Sequence, residues 1–385
     1  MSDTTALLDG ILVVDLSQFL AGPYASLRLQ DLGARVIKIE RPDGGDLTRS
    51  LYLSDTVVDG ESTIFHAINR GKESLALNLK KAGDLAALKK LISKADVVIQ
   101  NFRPGVIERL GLGYDDVKHF APQVVYGSVS GYGPDGPWSK HPGQDLLAQA
   151  RSGAMWLNGH AGDGPVPFGL AVADMFAGAN LCQGILAALV RKGMTGKGCL
   201  VETSLLESMV DFQFEVLATH LNDGGRLPER AKYRSAHVGL SAPYGVYPTA
   251  DGYLALAMTP LDRLVGLLEL DALASYAADS DTWFSKRDEI KQIIGQRLAT
   301  QPTEHWLSIL QPEDIWCAKV LDWSEFLQED AFKRLDIIQQ VENMHGTPLR
   351  LTRAPLRING ERARSTAAAP DIGAQSDSIR REFDL

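Results

Sequence analysis

The stretch ILVVDLSQFLAGPYASLRLQDLGARVIKI, residues 11–39, contains the pattern that decides the fold. It begins with the apolar run Ile11 to Leu16, which is short and nearly continuous, as expected of a strand buried on both faces. A turn over Gln18 to Pro23 leads into a helical pattern, and Arg35 to Ile39 forms the next strand. A strand, a helix and a second strand in this order predict a βαβ unit, the opening of a doubly wound parallel sheet.

The same alternation continues beyond this unit and predicts an α/β fold. The further predicted strands are Ser74 to Leu79, Asp96 to Gln100, Val124 to Ser130 and Cys199 to Thr203. Glu40 ends the second strand, where a dinucleotide-binding fold often has its ribose-binding acid. The first turn, however, has a single glycine, Gly22, which is followed by proline. Because this turn leaves no bare backbone for a pyrophosphate to approach, we exclude NAD.

The composition changes after a predicted helical segment, Leu205 to Asn222. The polar segment DGGRLPERAKYR, residues 223–234, predicts a linker into a second domain. In that domain, Tyr244 to Pro248 and Tyr253 to Met258 flank the turn TADG and predict a hairpin, which helical patterns follow.

The most apolar segment, Phe168 to Arg191, predicts a helix buried inside a soluble domain. It contains a charge and lacks the interfacial aromatic residues that flank a membrane span. Its carboxylate, Asp174, lies near the start of the segment among small residues. A helix N-terminus stabilises an anion, so Asp174 could be a helix N-cap, but its small neighbours also leave room for a reacting substrate. The segment alone leaves both interpretations open.

Composition and charge exclude several classes of protein. The chain has 385 residues, of which 45% are hydrophobic, enough for a large core and two domains. Its net charge is −9 and it has no basic run, so neither nucleic acid nor a membrane surface is an expected partner. Three widely spaced cysteines and the absence of a secretion-signal pattern predict a cytoplasmic location.

Metal sites and serine-hydrolase triads are not expected. The eight histidines form no metal-binding motif, and GSVSG, residues 127–131, has valine where a nucleophile elbow has serine. Several positive residues follow strands or lie in adjacent loops, where open α/β sheets bind ligands, which makes them candidate phosphate contacts. They are Arg41, Lys72, Arg103 and Arg109.

Several motifs, in the same order, resemble those of the family III CoA-transferases, also called the CaiB/BaiF family. They are GILVVDLSQFLAGPYAS, LGARVIKIERPDGGDLTR, NRGKESLALNL, ADVVIQNFRPGVIERLGL, and VADMFAG followed by GILAAL. The resemblance runs from about Gly10 to Glu207 and continues more weakly through APYGVYPTADGY to the end of the chain.

The resemblance implies a fold and an assembly. It implies a Rossmann-like large domain, residues 1–222, that is completed by the C-terminal segment 335–385. The linker and a smaller α+β domain would occupy residues 223–334. It also implies an interlocked homodimer, in which each chain threads the other.

The resemblance further implies a reaction, acyl-CoA:carboxylate CoA transfer, with Asp174 as the catalytic residue. The Asp174 carboxylate would attack an acyl-CoA donor to give a mixed anhydride and free CoA, and an aspartyl-CoA thioester would precede transfer to the carboxylate acceptor. Coenzyme A and acyl-CoA are then substrates, and no cofactor is permanently bound. The implied CoA contacts are Gln18, Ala21, Arg41, Lys72, Asn101, Phe102 and Arg109. Among them, Arg41, Lys72 and Arg109 would contact the phosphates, and Asn101 and Phe102 would line the pantetheine path.

One departure separates this chain from related α-methylacyl-CoA racemases, which need a His-Asp pair ahead of the catalytic aspartate. The matching pair here is Gln144-Asp145. Because glutamine is not an acid or base at neutral pH, the sequence favours CoA transfer over racemisation. A racemase or epimerase and a non-catalytic CoA-binding homologue are the alternatives.

Overall fold

In the computed structural model, which describes residues 6–365 and 367–385, strands and helices alternate along most of the chain. The strands are β1 (Leu12–Asp15), β2 (Arg35–Glu40), β3 (Val57–Val58), β4 (Glu61–Ser62), β5 (Glu73–Ala76), β6 (Val97–Gln100), β7 (Val125–Ser130), β8 (Cys199–Ser204), β9 (Gly245–Pro248), β10 (Tyr253–Leu256), β11 (Cys317–Lys319), β12 (Ile338–Glu342) and β13 (Pro348–Thr352). The helices are α1 (Ala21–Asp31), α2 (Thr63–Asn69), α3 (Ala82–Ile92), α4 (Val106–Arg109), α5 (Tyr114–Phe120), α6 (Asp145–Ser152), α7 (Val172–Thr195), α8 (Leu205–Phe212), α9 (Phe214–Asn222), α10 (Leu261–Leu267), α11 (Ala274–Ala277), α12 (Arg287–Leu298), α13 (Thr303–Leu310), α14 (Trp323–Phe326), α15 (Asp330–Leu335) and α16 (Ser376–Phe383).

The central sheet has six parallel strands in the order β5-β2-β1-β6-β7-β8. Numbered along the chain, this is the order 3-2-1-4-5-6 of a Rossmann-like sheet. The α/β class predicted from the sequence is therefore confirmed. The order reverses between β1 and β6, and such a reversal opens a crevice at the carboxyl ends of the two strands, where α/β folds bind ligands.

Helices cover both faces of this sheet. One face packs against α3, α5 and α16 through side chains that include Leu88, Val117 and Ile379. On the other face, α1 and α7 lie together, and Leu181 and Ile185 of α7 pack over Gly127 of β7. Burial on both faces explains why the strands have nearly continuous apolar sequences.

The C-terminal segment covers the edge of the sheet at β5. The backbone N–H of Ser74 donates to Oε1 of Gln375 (2.8 Å), and the N–H of Gln375 donates to the Ser74 carbonyl (3.2 Å). The N–H of Ala76 donates to Oγ of Ser376 (3.0 Å). These bonds satisfy backbone groups that an open edge strand would present to other chains.

The chain divides into two compact units. The first comprises the residues up to Ala148, together with Ala171–Phe212 and Leu335–Leu385, and the second comprises Gln149–Leu170 and Gln213–Arg334. Residues 149–170 and 213–222, which the sequence analysis assigned to the large domain, thus group with the second unit. For residues 149–170 the reason is a set of tertiary hydrogen bonds, because the Arg230 guanidinium donates to the carbonyls of Asn158, Asp163 and Gly164.

The second unit has its own core and an antiparallel sheet in the order β11-β10-β9. The predicted hairpin is confirmed, with β9 and β10 paired from Tyr253 opposite Pro248. Trp306 is fully buried among side chains of α10, α12 and α13, and its Nε1 donates to the Leu298 carbonyl (2.7 Å). The single helix predicted from Leu205 to Asn222 is instead two helices, α8 and α9, separated at Gln213.

The apolar helix α7 begins at Val172, later than the predicted start at Phe168, and Gly196 at φ 70° follows its last residue. Of the residues that the structure describes, α7 alone forms a helix long and apolar enough to cross a membrane, and 39% of its most apolar stretch is buried. A core helix of a soluble protein has the same length and composition.

Close approach of α1 and α7 depends on Gly178. A Cβ at this position would lie 2.5 Å from the Ala21 carbonyl oxygen and 3.0 Å from the Tyr24 ring. Because a backbone atom cannot rotate away, we expect Gly178→Ala to lower the free energy of unfolding by about 2 kcal/mol. Denaturation in urea measures this change.

Gly193→Ala in the same helix is the matched control. Nothing lies within 4 Å of the Cβ that it would add. This substitution should stabilise the protein by about 0.5–1 kcal/mol, because alanine loses less backbone entropy on folding than glycine. Equal effects of the two substitutions would contradict the close packing of α1 on α7.

Candidate active site

The turn after β1 and the loop after β6 are joined at the point where the strand order reverses. The backbone N–H of Gln18 donates to Oδ1 of Asn101 (2.9 Å), and Nδ2 of Asn101 donates to the Gln18 carbonyl (2.6 Å). Two predicted CoA contacts, distant in sequence, therefore lie together at the crevice of the sheet.

Ala21 connects this turn to the apolar helix. It is the first residue of α1, it is buried, and its carbonyl oxygen lies against Gly178 of α7. Asp174 lies one helical turn before Gly178 on α7. The first turn of α1 and the second turn of α7 are thus neighbours, so the Gln18 turn and Asp174 lie in one region of the first unit.

Asp174 is the third residue of α7 and is not its N-cap. The N-cap residue is Ala171, which has no capping side chain. Instead, Oδ1 of Asp145, at the start of α6, accepts hydrogen bonds from the backbone N–H groups of Ala173 (2.7 Å) and Asp174 (3.2 Å). The N-cap interpretation of Asp174 is therefore wrong, because Asp145 satisfies these N–H groups.

The Asp174 carboxyl group is poorly stabilised as an anion. It is half-buried, and in the part of the chain that the structure describes no group donates a hydrogen bond to its oxygens. Burial, and then the nearby charge of Asp145, raise the pKa of Asp174 to about 7. Near neutral pH, a substantial fraction of this side chain is therefore ionised yet weakly solvated. Such a carboxylate is suited to nucleophilic attack or to proton transfer.

Phe102 and Asn101 form the start of the loop after β6. Phe102 is half-buried and packs against the core of the sheet, and its N–H donates to Oε1 of Gln100 (2.8 Å). Nε2 of Gln100 in turn donates to Oγ of Ser128 (2.8 Å) on the neighbouring strand. The loop therefore leaves the sheet in a fixed direction.

Arg41 and Arg109, two of the predicted phosphate contacts, are exposed. Arg41 follows β2, and its guanidinium donates to the Gly45 carbonyl (3.2 Å). Arg109 ends α4, and its Nη1 lies 3.3 Å from where a Cβ on Gly105 would be. Both residues follow strands at the carboxyl edge of the sheet.

The structure contradicts the prediction that Lys72 contacts a phosphate of CoA. Its side chain is completely buried, and its ammonium group donates to Asp15 Oδ2 (3.2 Å), the Pro23 carbonyl (3.0 Å), Ser26 Oγ (2.8 Å) and Asn69 Oδ1 (2.9 Å). Burial lowers the pKa of Lys72 to about 8. An ammonium group with four internal partners and no exposed surface does not contact a phosphate, so its role is to neutralise the buried charge of Asp15.

Two exposed cations and one capping residue were not considered in the sequence analysis. Lys80 and Lys81 are exposed and come after β5, at the same edge of the sheet as Arg41, whereas Lys72 precedes β5. Their place directly after the predicted strand Ser74 to Leu79 was a usable signal. The capping role of Asp145 had no signal, because it joins residues of different helices through a tertiary contact.

The described residues offer no metal site, and the predicted site residues do not line the cavity found in the second unit. The described residues contain no group of three or more His, Cys, Asp or Glu side chains that could hold a metal ion. A cavity of about 710 Å³ lies within the second unit, between Trp156, α9 and the start of α12. None of the predicted site residues lines it.

Comparisons with known proteins agree on one family. The model of CoA-transferase family III matches residues 8–376. The succinyl-CoA:glutarate CoA-transferase of Mus musculus is 35% identical over 81% of this chain and 72% of its own length. The acetyl-CoA:oxalate CoA-transferase of Acetobacter aceti is 32% identical over 97% of this chain and 95% of its own length. The crystal structure of a CaiB/BaiF family protein from Brucella suis superposes with a TM-score of 0.84 at 29% identity, covering 99% of this chain and 100% of the other.

Proposed function

Because the chain belongs to CoA-transferase family III, we propose that it moves CoA between two carboxylic acids through covalent intermediates on Asp174. The general activity, transfer of CoA from an acyl-CoA to a free carboxylate, is that of the family. The resemblance predicted from the motifs is thereby confirmed. The covalent route and the acids used are the proposal.

The proposed reaction begins with attack of an Asp174 oxygen on the thioester carbonyl carbon. A C–O bond forms, the C–S bond breaks, and CoA leaves as a thiolate, which gives a mixed anhydride. The thiolate then attacks the aspartyl carbonyl carbon, which releases the first acid and leaves an aspartyl-CoA thioester. The acceptor carboxylate repeats these two steps in reverse, forming a new anhydride and then a new acyl-CoA, and the Asp174 carboxylate is regenerated. Each step breaks one acyl bond as it forms another, so one difficult exchange is divided into several easier steps.

The observation that supports this role best is the state of the Asp174 carboxyl group. It lacks hydrogen-bond donors, is partly open to solvent, and has a pKa raised to about 7 by burial and by Asp145. A carboxylate that gives up little solvation on attack is a better nucleophile than one in bulk water. Its place in the first turn of a 24-residue helix adds a positive dipole that keeps part of the population ionised.

We assign the recognition of CoA to the carboxyl edge of the sheet. The turn containing Gln18 and Ala21, together with Asn101 and Phe102, would line the path of the pantetheine arm toward Asp174. Exposed cations near this edge, Arg41, Arg109 and Lys80, would contact the phosphates. Lys72 has no part in this contact because it is buried.

Short dicarboxylates are the proposed acids. The mouse and Acetobacter relatives are named for succinyl-CoA with glutarate and for acetyl-CoA with oxalate. Succinyl-, acetyl- and formyl-CoA tested against a panel of dicarboxylates should identify a pair that exchanges CoA. Hydroxylamine should then trap an adduct on the Asp174 peptide, detected by mass spectrometry, and exchange without any adduct would overturn the covalent route.

A deuterium-exchange assay addresses the racemase alternative. The residue at the position of the racemase histidine is Gln144, which is exposed and is not an acid or base at neutral pH. Incorporation of deuterium at the α-carbon of a 2-methylacyl-CoA, in the absence of CoA transfer, would favour racemisation and contradict our assignment.

We also propose that the protein functions as a homodimer in the cytoplasm. The outer face of α7 supports this, because two apolar side chains one helical turn apart, Val190 and Met194, are 66% and 77% exposed. Apolar surface of this kind is usually covered in an assembly. Light scattering should give twice the mass of one chain, and a monomer that is fully active would contradict the dimer.

A further inference from the structure

A buried ion pair lies directly beneath the Gln18 turn. Nζ of Lys38, on β2, is 2.7 Å from Oδ2 of Asp46, and neither side chain has any exposed surface. Although burial disfavours its charge, the pKa of Lys38 is raised by Asp46, Asp15 and Glu40. In Asp46, burial is similarly outweighed by Lys38, so the pKa of Asp46 is lowered. Both groups therefore remain charged.

Each member of this pair also binds the backbone of the turn. Nζ of Lys38 donates to the Ser17 carbonyl (2.9 Å), and Oδ1 of Asp46 accepts from the N–H of Phe19 (3.3 Å). The residue between them, Gln18, is bound on its other side by Asn101. Three consecutive residues of the turn are thus held by side chains that come from other parts of the chain.

The turn needs this support because it contains an unfavourable backbone conformation. Phe19 has a φ of 63°, in the left-handed region that bulky side chains rarely adopt. Such a conformation persists only where its surroundings hold it. Phe19 itself is 42% exposed, so packing of its side chain supplies only part of the restraint.

The same network fixes the loop that carries Arg41. The N–H of Asp46 donates to Oε2 of Glu40 (3.0 Å), and Glu40 is paired with Arg49 through two hydrogen bonds (2.8 and 2.7 Å). The loop between Glu40 and Asp46 is therefore closed at its base. Asp46 consequently touches two of the segments that bear predicted CoA contacts, the Gln18 turn and the Arg41 loop.

We propose that Lys38 and Asp46 are positioning residues for CoA, which hold the Ser17–Phe19 backbone and the base of the Arg41 loop in the geometry that binds it. This inference rests on the proposed function, because it takes the Gln18 turn to be a CoA contact. Apolar residues of similar volume would stabilise a core as well as a buried ion pair does, or better. Stability alone therefore does not explain a charged pair here, whereas its hydrogen bonds to the Gln18 turn and to the base of the Arg41 loop do.

The test compares Asp46→Asn with Asp31→Asn, which breaks a buried ion pair of the same unit that does not touch the turn. Arg70 and Asp31 are such a pair, with Nη2 2.8 Å from Oδ1 and side chains only 1% and 5% exposed. CoA affinity is measured by titration calorimetry on the full chain, and folding is followed by thermal denaturation. We expect Asp46→Asn to raise the Kd for CoA about tenfold while the kcat at saturating acyl-CoA changes less than about threefold.

Asp31→Asn should lower stability to a similar extent and leave the Kd for CoA unchanged. An unchanged Kd in Asp46→Asn, or an equal rise in both variants, would overturn the inference, because general destabilisation would then account for any loss. Failure of the wild-type protein to bind CoA would instead overturn the proposed function, and the inference with it. The wild-type titration therefore separates the two failures.

A second comparison uses the backbone of Phe19. Asp46→Ala removes the acceptor for the Phe19 N–H, and because glycine adopts a positive φ without steric cost, Phe19→Gly should let the turn keep its geometry without this bond. The effect of Asp46→Ala on the Kd for CoA should therefore fall from about tenfold to about threefold or less in the Phe19→Gly background. Identical effects in the two backgrounds would show that Asp46 does not act through the conformation of this turn.

Discussion

Replacing Asp174 by asparagine should reduce CoA transfer by at least about a thousandfold and abolish the acyl-enzyme. Asparagine keeps the shape of the side chain but has no anionic oxygen to attack the thioester. Initial rates with the best acid pair give the first effect, and the mass of the intact protein after mixing with acyl-CoA gives the second.

Glu202→Gln is the matched control for this substitution. Glu202 lies on β8, and its pKa is also raised, by burial and by the neighbouring charge of Glu207. It is not among the predicted site residues, so its substitution should leave the transfer rate within about twofold. If Asp174→Asn retained wild-type exchange, the covalent mechanism would be wrong, whatever the control showed.

The Asp174→Asn variant also tests the burial of Asp174, independently of catalysis. The folded protein binds the Asp174 proton more tightly than the unfolded chain does, because its pKa rises from 3.8 to about 7 on folding. Stability is therefore lost as the pH rises from about 4 to about 7. The full shift corresponds to about 4 kcal/mol, which partial exposure of the side chain reduces to about 2 kcal/mol.

Asp174→Asn should accordingly be more stable than the wild type at pH 9, and the difference should shrink as the pH falls toward 4. Thermal unfolding at a series of pH values measures it. This result would also show that the loss of activity is not caused by unfolding. A constant difference at every pH would contradict the raised pKa.

The sheet could be predicted because its strands are apolar on both faces. The runs near Val14, Ile37, Val98 and Tyr126 have few polar residues, since helices cover both sides of each strand. Such a pattern depends on local composition and can be recognised in a single sequence. The strand order, in contrast, depends on which strands pair, and only the family resemblance implied it.

Only part of the candidate site follows from a residue's neighbours in sequence. The apolar segment drew attention to Asp174 but left both a cap and a catalytic role open, and the family resemblance implied the catalytic one. Lys72 was misassigned because its place next to a strand does not reveal whether its side chain points inward. Four internal partners, from Asp15 to Asn69, decide its role, and no local pattern encodes them.

The start of α7 illustrates the same limit. Phe168, Gly169 and Leu170 continue the apolar composition, so the sequence predicts a helix that begins there. The helix begins at Val172, and the Asp145 side chain accepts from the N–H groups of its second and third residues. A cap supplied by a residue 28 positions away leaves no signal in the residues around the helix start.

Replacing Asp145 by asparagine should separate the two effects of this carboxylate on Asp174. The amide oxygen of asparagine can still accept from the N–H groups of Ala173 and Asp174, so the helix cap remains. The negative charge is lost, however, and this charge is one of the two causes of the raised pKa of Asp174. The ionised form is therefore favoured, and the midpoint of the pH–rate profile should move to lower pH.

Near pH 6 the wild-type enzyme has most of its Asp174 protonated, so the added ionised fraction in Asp145→Asn should raise the transfer rate about threefold. Above pH 8, where Asp174 is ionised in both proteins, the rate should be equal to that of the wild type or lower, because a less basic carboxylate is a weaker nucleophile. Rates measured from pH 5 to pH 9 with saturating substrates check both expectations.

Asp145→Ala is the partner variant, since it removes the charge and the cap together. Its pH midpoint should move in the same direction, and it should also lose about 1 kcal/mol of stability, because the N–H groups of Ala173 and Asp174 lose their acceptor. Loss of stability in both variants would mean that asparagine does not preserve the cap. A midpoint unchanged in Asp145→Asn would show that the charge of Asp145 does not set the pKa of the nucleophile, and burial alone would then have to account for it.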